Sequence, residues 1–299
     1  MTESPTSPPT AATLPSEQAA KIMKLATYAS VGVACVLIVA KFTAWLMTDS
    51  VSLLSTLIDS LVDAFASIIN LFAVRQALQP ADREHRFGHG KAEPLAGLGQ
   101  AAFISGSAMF LVIAAGQRLF QPRPIVNSEI GFWAMGFAIV LTLALVAFQK
   151  SVIKRTGSHA ISADSLHYQS DLLINVSIIL SLLLSAKFGI IIADALFALA
   201  IAAFILWGAN QIARGALRML MDRELPDADR QRIREIAMRH PGVKDVHDMR
   251  TRTSGLHVFI QLHLEMDREL SLLRAHGISD SVMLDIEKNF INAEVLIHV

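Results

Sequence analysis

Six apolar segments recur along the first two-thirds of this 299-residue chain. Each is about as long as the roughly 20 residues a helix needs to cross the hydrocarbon core of a bilayer. They fall near 22–47, 51–78, 92–119, 130–153, 161–186 and 189–213. Inside lipid the backbone must satisfy its own hydrogen bonds, so the segments predict a six-helix transmembrane domain over 21–213. Composition agrees: 53% of residues are hydrophobic and 17% charged, against about a quarter charged in soluble domains. The formal net charge of zero lacks the basic excess of a nucleic-acid surface, so the expected surroundings are a lipid bilayer and no nucleic acid. The lone cysteine, Cys35, excludes both a disulfide framework and a thiolate metal site within one chain. Residues 1–20, rich in Pro, Ser and Thr, read as a disordered tail.

Orientation follows from the Lys and Arg content of the connections. With the N-terminus inside, the cytoplasmic side carries Lys21, Lys24, Arg75, Arg83, Arg86, Lys91, Lys150, Lys154, Arg155, Arg214 and Arg218. The other side carries Arg118, Arg123 and Lys187. Both termini are therefore expected in the cytoplasm.

From about Asp222 the pattern changes. PDADRQRIREIAMRH has helical spacing, with Ile233, Ile236 and Ala237 on one face. VKDVHDMRTRTSG and LHVFIQLHLEM alternate apolar and polar residues about a Ser-Gly turn, a hairpin signal. A helix near 271–290 and a last strand, AEVLIHV, complete the order α-β-β-α-β. Residues 214–299 thus read as a linker and a cytoplasmic α+β ferredoxin-like module with its helices on one face of a sheet.

Two of the apolar segments carry ionisable residues. A charge near the bilayer centre costs roughly 2.5–3.5 kcal/mol on insertion scales. Asp59 and Asp63 are four apart and share a helix face, on a stripe with Ser52, Ser55, Ser67 and Asn70. The fifth segment repeats the design with Asp164, His167, Asp171 and Asn175. Asp59/Asp63 and His167/Asp171 together supply three carboxylates and one imidazole, a set suited to a tetrahedral divalent ion. Ser and Asn alone read as interhelical hydrogen-bonding groups, and a proton relay without metal is a second use of such a chain. Asp194, a lone acid, reads as structural.

Asp82, His85 and His89 follow the second segment at spacings of three and four, so a single turn can aim them at one ion; taken alone they read as solvated surface. GHGK lacks the Walker pattern, and no other nucleotide site is present, so any pumping is driven by an ion gradient. Six of the ten histidines lie in the module. His240 and His257 read as surface residues. His247 and His263 on the hairpin, His298 on the last strand and His276 on the facing helix can converge, and imidazole-rich ligation suits zinc and its neighbours.

The stretches DSLVD (59–63), PADREHRFGHGKAEPLA (80–96), ADSLHYQSD (163–171), ADALFALAI (193–201), LMDRELPD (220–227) and HDMRTRTSG (247–255) resemble those of the cation diffusion facilitator family, in its bacterial ferrous-iron and zinc efflux branch. The resemblance runs from residue 21 onward. It implies a homodimer in the bacterial inner membrane, with a metallochaperone-like cytoplasmic domain, exchanging cytoplasmic Zn²⁺, or Fe²⁺ or Cd²⁺, for protons. By the same resemblance Asp59, Asp63, His167 and Asp171 form the transport site. Asp82, His85 and His89 form a loop zinc site, and His247, His263, His276 and His298 a binuclear cytoplasmic site. Lys91 and Asp222 match an ion pair where membrane and soluble parts meet. One departure concerns the last strand: the family motif continues past His298 with Gln and a ligating Asp, where this sequence has Val299. Weaker zinc binding than in a form extended by Gln-Asp is the expectation.

Ligation requires deprotonated side chains, so metal binding releases protons, with His167 the expected carrier. No enzyme is expected: H-E-x-x-H and G-x-S-x-G are both absent. An intramembrane metalloenzyme and a passive cation channel are the alternatives from other classes. A tight four-ligand site would trap the ion of a channel.

Overall fold

The computed structural model describes residues 14–48, 51–120, 129–188 and 193–299. Residues 1–13 of the expected tail, Arg123, and the side chains of Ser52, Ser55, Arg118, Lys187 and Asp194 lie outside the described residues. Six long helices come first: α1 (Ser16–Thr48), α2 (Val51–Ala77), α3 (Ala92–Phe120), α4 (Glu129–Thr156), α5 (His159–Phe188) and α6 (Ala193–Leu220). The module follows as α7 (Asp227–Met238), β1 (Val243–Ser254), β2 (His257–Met266), α8 (Leu272–Asn289) and β3 (Ala293–His298).

Two boundaries differ from expectation. Residues 16–20 belong to α1 rather than to a tail. Glu17 pairs with Lys21 at 2.7 Å across one turn, and Ala19, Met23 and Ala26 are buried at helical spacing, which holds this first turn on the bundle. At the other end α6 continues past residue 213 to Leu220 before the module begins.

α5 touches each of the other five long helices and so occupies the middle of the bundle. Among the described residues, five helices are long and apolar enough to span a membrane: Ser16–Met47, Thr56–Ala77, Ala92–Gln117, Gly136–Thr156 and Ala195–Leu220. α5 carries Asp164, His167 and Asp171 in its first half and the mostly apolar sequence LLINVSIILSLLLSA, residues 172–186, in its second. Its neighbours turn Val39, Phe72, Phe110, Val140 and Trp207 outward, where lipid receives them. The polar first half of α5, where Asp164, Ser165 and Tyr168 are buried, is thereby covered by its neighbours.

The module's sheet has the order β1-β2-β3, with β1 and β2 antiparallel and β2 and β3 parallel. Strand alternation sends Val246, Ile260, Leu262 and Val295 to one face, where they meet Ile233 and Ile236 of α7 and Val282 and Ile286 of α8. Ser271 caps α8 by accepting from the Arg274 backbone N–H.

The module is seated on one end of the bundle. Leu256, in the β1–β2 turn, packs with Met23, Val74, Val152 and Ile161 from four helices. Gly255 in that turn has φ +59°, and a Cβ on Gly90 would overlap the Ser254 carbonyl, so both positions need glycine for this approach. Asn292 (φ +61°) holds the start of α1: its Oδ1 accepts from the Ser16 N–H at 2.9 Å and its Nδ2 donates to the Leu14 carbonyl at 3.2 Å. Arg252 lies over the Phe87 ring at 4.3 Å and also reaches Asp222 at 3.5 Å.

Candidate metal centres

Three groups of potential ligands converge among the described residues, each with its donor atoms within 4.8 Å of one another. The first joins Asp63 of α2 to His167 and Asp171 of α5. His167 Nε2 stands 2.9 Å from Asp63 Oδ1 and 3.7 Å from Asp171 Oδ2. A ring nitrogen at hydrogen-bond distance from a carboxylate holds a proton between them. A cation bound by the same atoms must displace that proton. Asp59 stands one turn further along α2, exposed, and outside this three-residue group. A shared helix face aligns two residues but leaves them about 6 Å apart along the axis, and here α5 approaches the Asp63 turn.

The second group is local. Asp82 Oδ1 accepts the backbone N–H groups of His85 (2.6 Å) and Glu84 (2.9 Å), closing a turn. The same carboxylate then reaches His85 Nδ1 at 3.3 Å and His89 Nε2 at 3.4 Å. The His85 N–H first, with the Glu84 N–H and the His85 ring adding to it, holds Asp82 below its ordinary value of 3.8, so it stays an anion between two imidazoles. His89 Nδ1 is buried and has no hydrogen-bond partner among the described residues. One carboxylate and two imidazoles turned together fit a zinc-like ion.

The third group lies on the sheet face away from α7 and α8. His247, His263 and His298 are register neighbours across β1, β2 and β3. Their rings stand 5.4 Å (His247–His263) and 4.7 Å (His263–His298) apart. The donor group itself is His247, His263 and Asp248. A register shift between His247 and Arg250, with Asp248 at φ +48°, is a β-bulge that swings the acid toward the histidines. Asp248 was absent from the sequence-derived ligand set. Alternation alone assigns it to the opposite face from its neighbour His247, and a bulge leaves no reliable signal in sequence.

His276 does not join them within one chain. It is exposed on α8, its ring near Asp280 at 3.9 Å, while α8 packs on the opposite face of the sheet. The expected convergence of four histidines therefore reduces to three on one sheet face. Lys91 and Asp222 form the expected ion pair, 2.9 Å apart.

A carboxylate–imidazole cluster on the central helix of a membrane bundle, with an α+β module that carries a histidine cluster docked at one end, is the arrangement of a membrane protein suited to cations. Residues 27–221 match the cation efflux transmembrane domain, and residues 225–299 match the cytoplasmic domain of cation efflux proteins. The chain belongs to the cation efflux family, a family of transporters. It is 50% identical over 279 residues to the cation-efflux pump FieF of Pectobacterium carotovorum, covering 93% of each chain. With the cation-efflux pump FieF of Shewanella oneidensis it shares 49% identity over 276 residues, covering 92% of this chain and 93% of that one. Among solved structures, the zinc form of CzrB aligns at 28% identity and TM-score 0.24, over 26% of this chain and 90% of that one. A nickel form of the MamM C-terminal domain aligns at 29% identity and TM-score 0.23, over 24% and 96% respectively.

Proposed function

We propose that the protein is an antiporter that exports divalent transition-metal cations from the cytoplasm in exchange for protons, with Zn²⁺ as the principal cargo and Fe²⁺ or Cd²⁺ as further cargo. The observation that carries this reading is the Asp63–His167–Asp171 cluster on the central helix of a cation efflux bundle. One imidazole among carboxylates favours zinc and its neighbours over the harder Mg²⁺ and Ca²⁺. The proton shared by His167 and Asp63 occupies the position a cation needs, so cargo and proton exclude each other, and Asp59 completes the ligand set by a small advance of α2. Exchange then needs only that the cluster face each side in turn.

The working unit is a homodimer in the bacterial inner membrane with both termini in the cytoplasm. Asp82, His85 and His89 hold a loop zinc ion. His247, His263 and His298, with Asp248, hold metal on the module, and His276 serves a neighbouring copy, since its exposure on α8 turns it away from its own sheet. Zinc flux in proteoliposomes, with and without an imposed pH gradient, tests the reading. Zinc uptake that rises when the lumen is the more acidic side, and that alkalinises the lumen in step as protons leave, is expected. Flux indifferent to the gradient would point instead to a channel, and zinc-dependent hydrolysis to an enzyme.

A further inference from the structure

Asp164 is a carboxylate on the central helix that the cargo site does not use. It lies three residues before His167, on the same face of α5, and is 1% exposed. Its Oδ2 accepts from Ser30 Oγ of α1 at 2.5 Å and from Gln149 Nε2 of α4 at 2.7 Å. Its Oδ1 faces Ser67 Oγ of α2 at 3.4 Å. Tyr168 closes the network, its hydroxyl donating to the Ser30 carbonyl at 3.2 Å and lying 3.1 Å from Ser67 Oγ. Donors from three helices thus converge on one side chain of a fourth. A buried carboxylate is tolerated only with such donors, so the network holds as a unit.

Its position gives it a direction. Exposure rises along α5 from Asp164, through the His167 side chain at 12%, to that of Asp171 at 35%. The start of α5 is the end that packs on Leu256 of the module. The cargo cluster is therefore closed toward the module and open away from it, and the closure is the network around Asp164. Between α2 and α5 the polar contacts are Asp63–His167 at 2.9 Å and, one turn on, Ser67 to Tyr168 at 3.1 Å and to Asp164 at 3.4 Å. The Ser67 contact is the longest of those at Asp164, so α2 is the most loosely held of the helices that meet this carboxylate. Beyond it, Asn70 continues the α2 stripe toward the module. It is 2% exposed, and among the described residues neither atom of its amide has a hydrogen-bond partner. A buried amide with both atoms unpaired costs stability in this arrangement and gains partners when water enters.

We propose that Asp164 is a positioning residue that latches α1, α2, α4 and α5 on the module side of the cluster, and that release of Ser67 opens a polar path past Asn70. The proposal rests on the transport reading of the cluster. In the full chain, with Cys35→Ser removing the native thiol and Asn70→Cys reporting on the path, a membrane-impermeant maleimide is applied to vesicles from the module side. Labelling about tenfold faster with Asp164→Ala, and intermediate with Ser67→Ala, is the expected population shift. In the cysteine-free full chain lacking the reporter, zinc KM stays within about threefold while kcat falls, a split that loss of a cargo ligand would not produce. Labelling equal to the parent in both variants would overturn the latch, and Ser67→Ala keeps the test decisive if Asp164→Ala fails to fold. Asp63→Ala separates the two readings: zinc flux retained there removes the transport site, whereas the labelling comparison judges the latch independently.

Discussion

Lys91 Nζ stands 2.9 Å from Asp222 Oδ1, and this pair ties the turn leading into α3 to the residues that leave α6. Asp222 also reaches Arg252 of β1 at 3.5 Å, so bundle, loop and module meet at one carboxylate. Its φ of +51° places it in a conformation that Asp tolerates better than most residues.

Because Lys91 and Asp222 are both about 40% exposed, the pair contributes only about 0.2–1 kcal/mol to global stability. Lys91→Ala should leave the thermal midpoint nearly unchanged while loosening the 82–91 segment. Hydrogen exchange mass spectrometry on the full chain checks this, with faster exchange at His85–His89 expected and a large fall in midpoint counting against it.

Asp63→Ala or Asp171→Ala should abolish zinc transport, since each removes a donor from a cluster of three. Size-exclusion profiles should stay those of the parent, because the bonds around Asp164 and the apolar contacts between helices remain in both variants. Wild-type zinc flux in either variant would remove the cluster from the transport path.

His167→Asp makes the cluster all-oxygen, which suits harder cations. The Zn²⁺/Mn²⁺ transport ratio in proteoliposomes should fall. An unchanged ratio would place selectivity elsewhere in the chain.

Asp248→Ala should weaken zinc binding at the module by about tenfold, or about 1.4 kcal/mol. Isothermal titration of the full chain, carried out in an Asp63→Ala, His85→Ala background to silence the cargo cluster and the loop group, reads this directly. Identical isotherms with and without Asp248 would show that the bulge does not deliver a ligand.

Asp267 accepts the backbone N–H of Glu269 and a 3.1 Å contact from Lys244, the two together holding it below its ordinary value of 3.8. A depressed folded-state pKa contributes stability above the unfolded value, and that contribution is lost as pH falls through the lowered value. Asp267→Asn should therefore lower the thermal midpoint slightly at pH 7, and the difference should shrink to nothing under strongly acidic conditions. A difference that persists there would assign the effect to something other than charge.

The order of elements was legible because periodicity reports local structure: a repeat of 3.6 set out α7 and α8, and a repeat of 2 set out β1 and β2. The start of α1 was obscured because Pro and Ser at 5–16 dominate that window, although Glu17, Ala19, Lys21 and Met23 already carry the helix. For the sites, spacing tells which residues share a face but not what stands opposite. It placed His167 and Asp171 together and drew Asp63 to them. It could not tell that α8 lies behind the sheet, carrying His276 away from His263. Nor could it pair Asp164 with Ser30 and Gln149, which lie 134 and 15 residues away.

The central place of α5 has a consequence for how the chain is made. Alone in lipid, a helix bearing Asp164 and Asp171 would pay roughly 2.5–3.5 kcal/mol for each charge held near the bilayer centre. α1, α2, α3, α4 and α6 surround it in the finished bundle, and Ser30, Ser67 and Gln149, which meet Asp164, are all synthesised before it. Entry of α5 into the membrane therefore draws on tertiary assembly around its polar first half as well as on partitioning of its apolar second half. Substitutions on α1 or α4 that remove those donors should surface during biogenesis as misinserted chains, well before any cation reaches the protein.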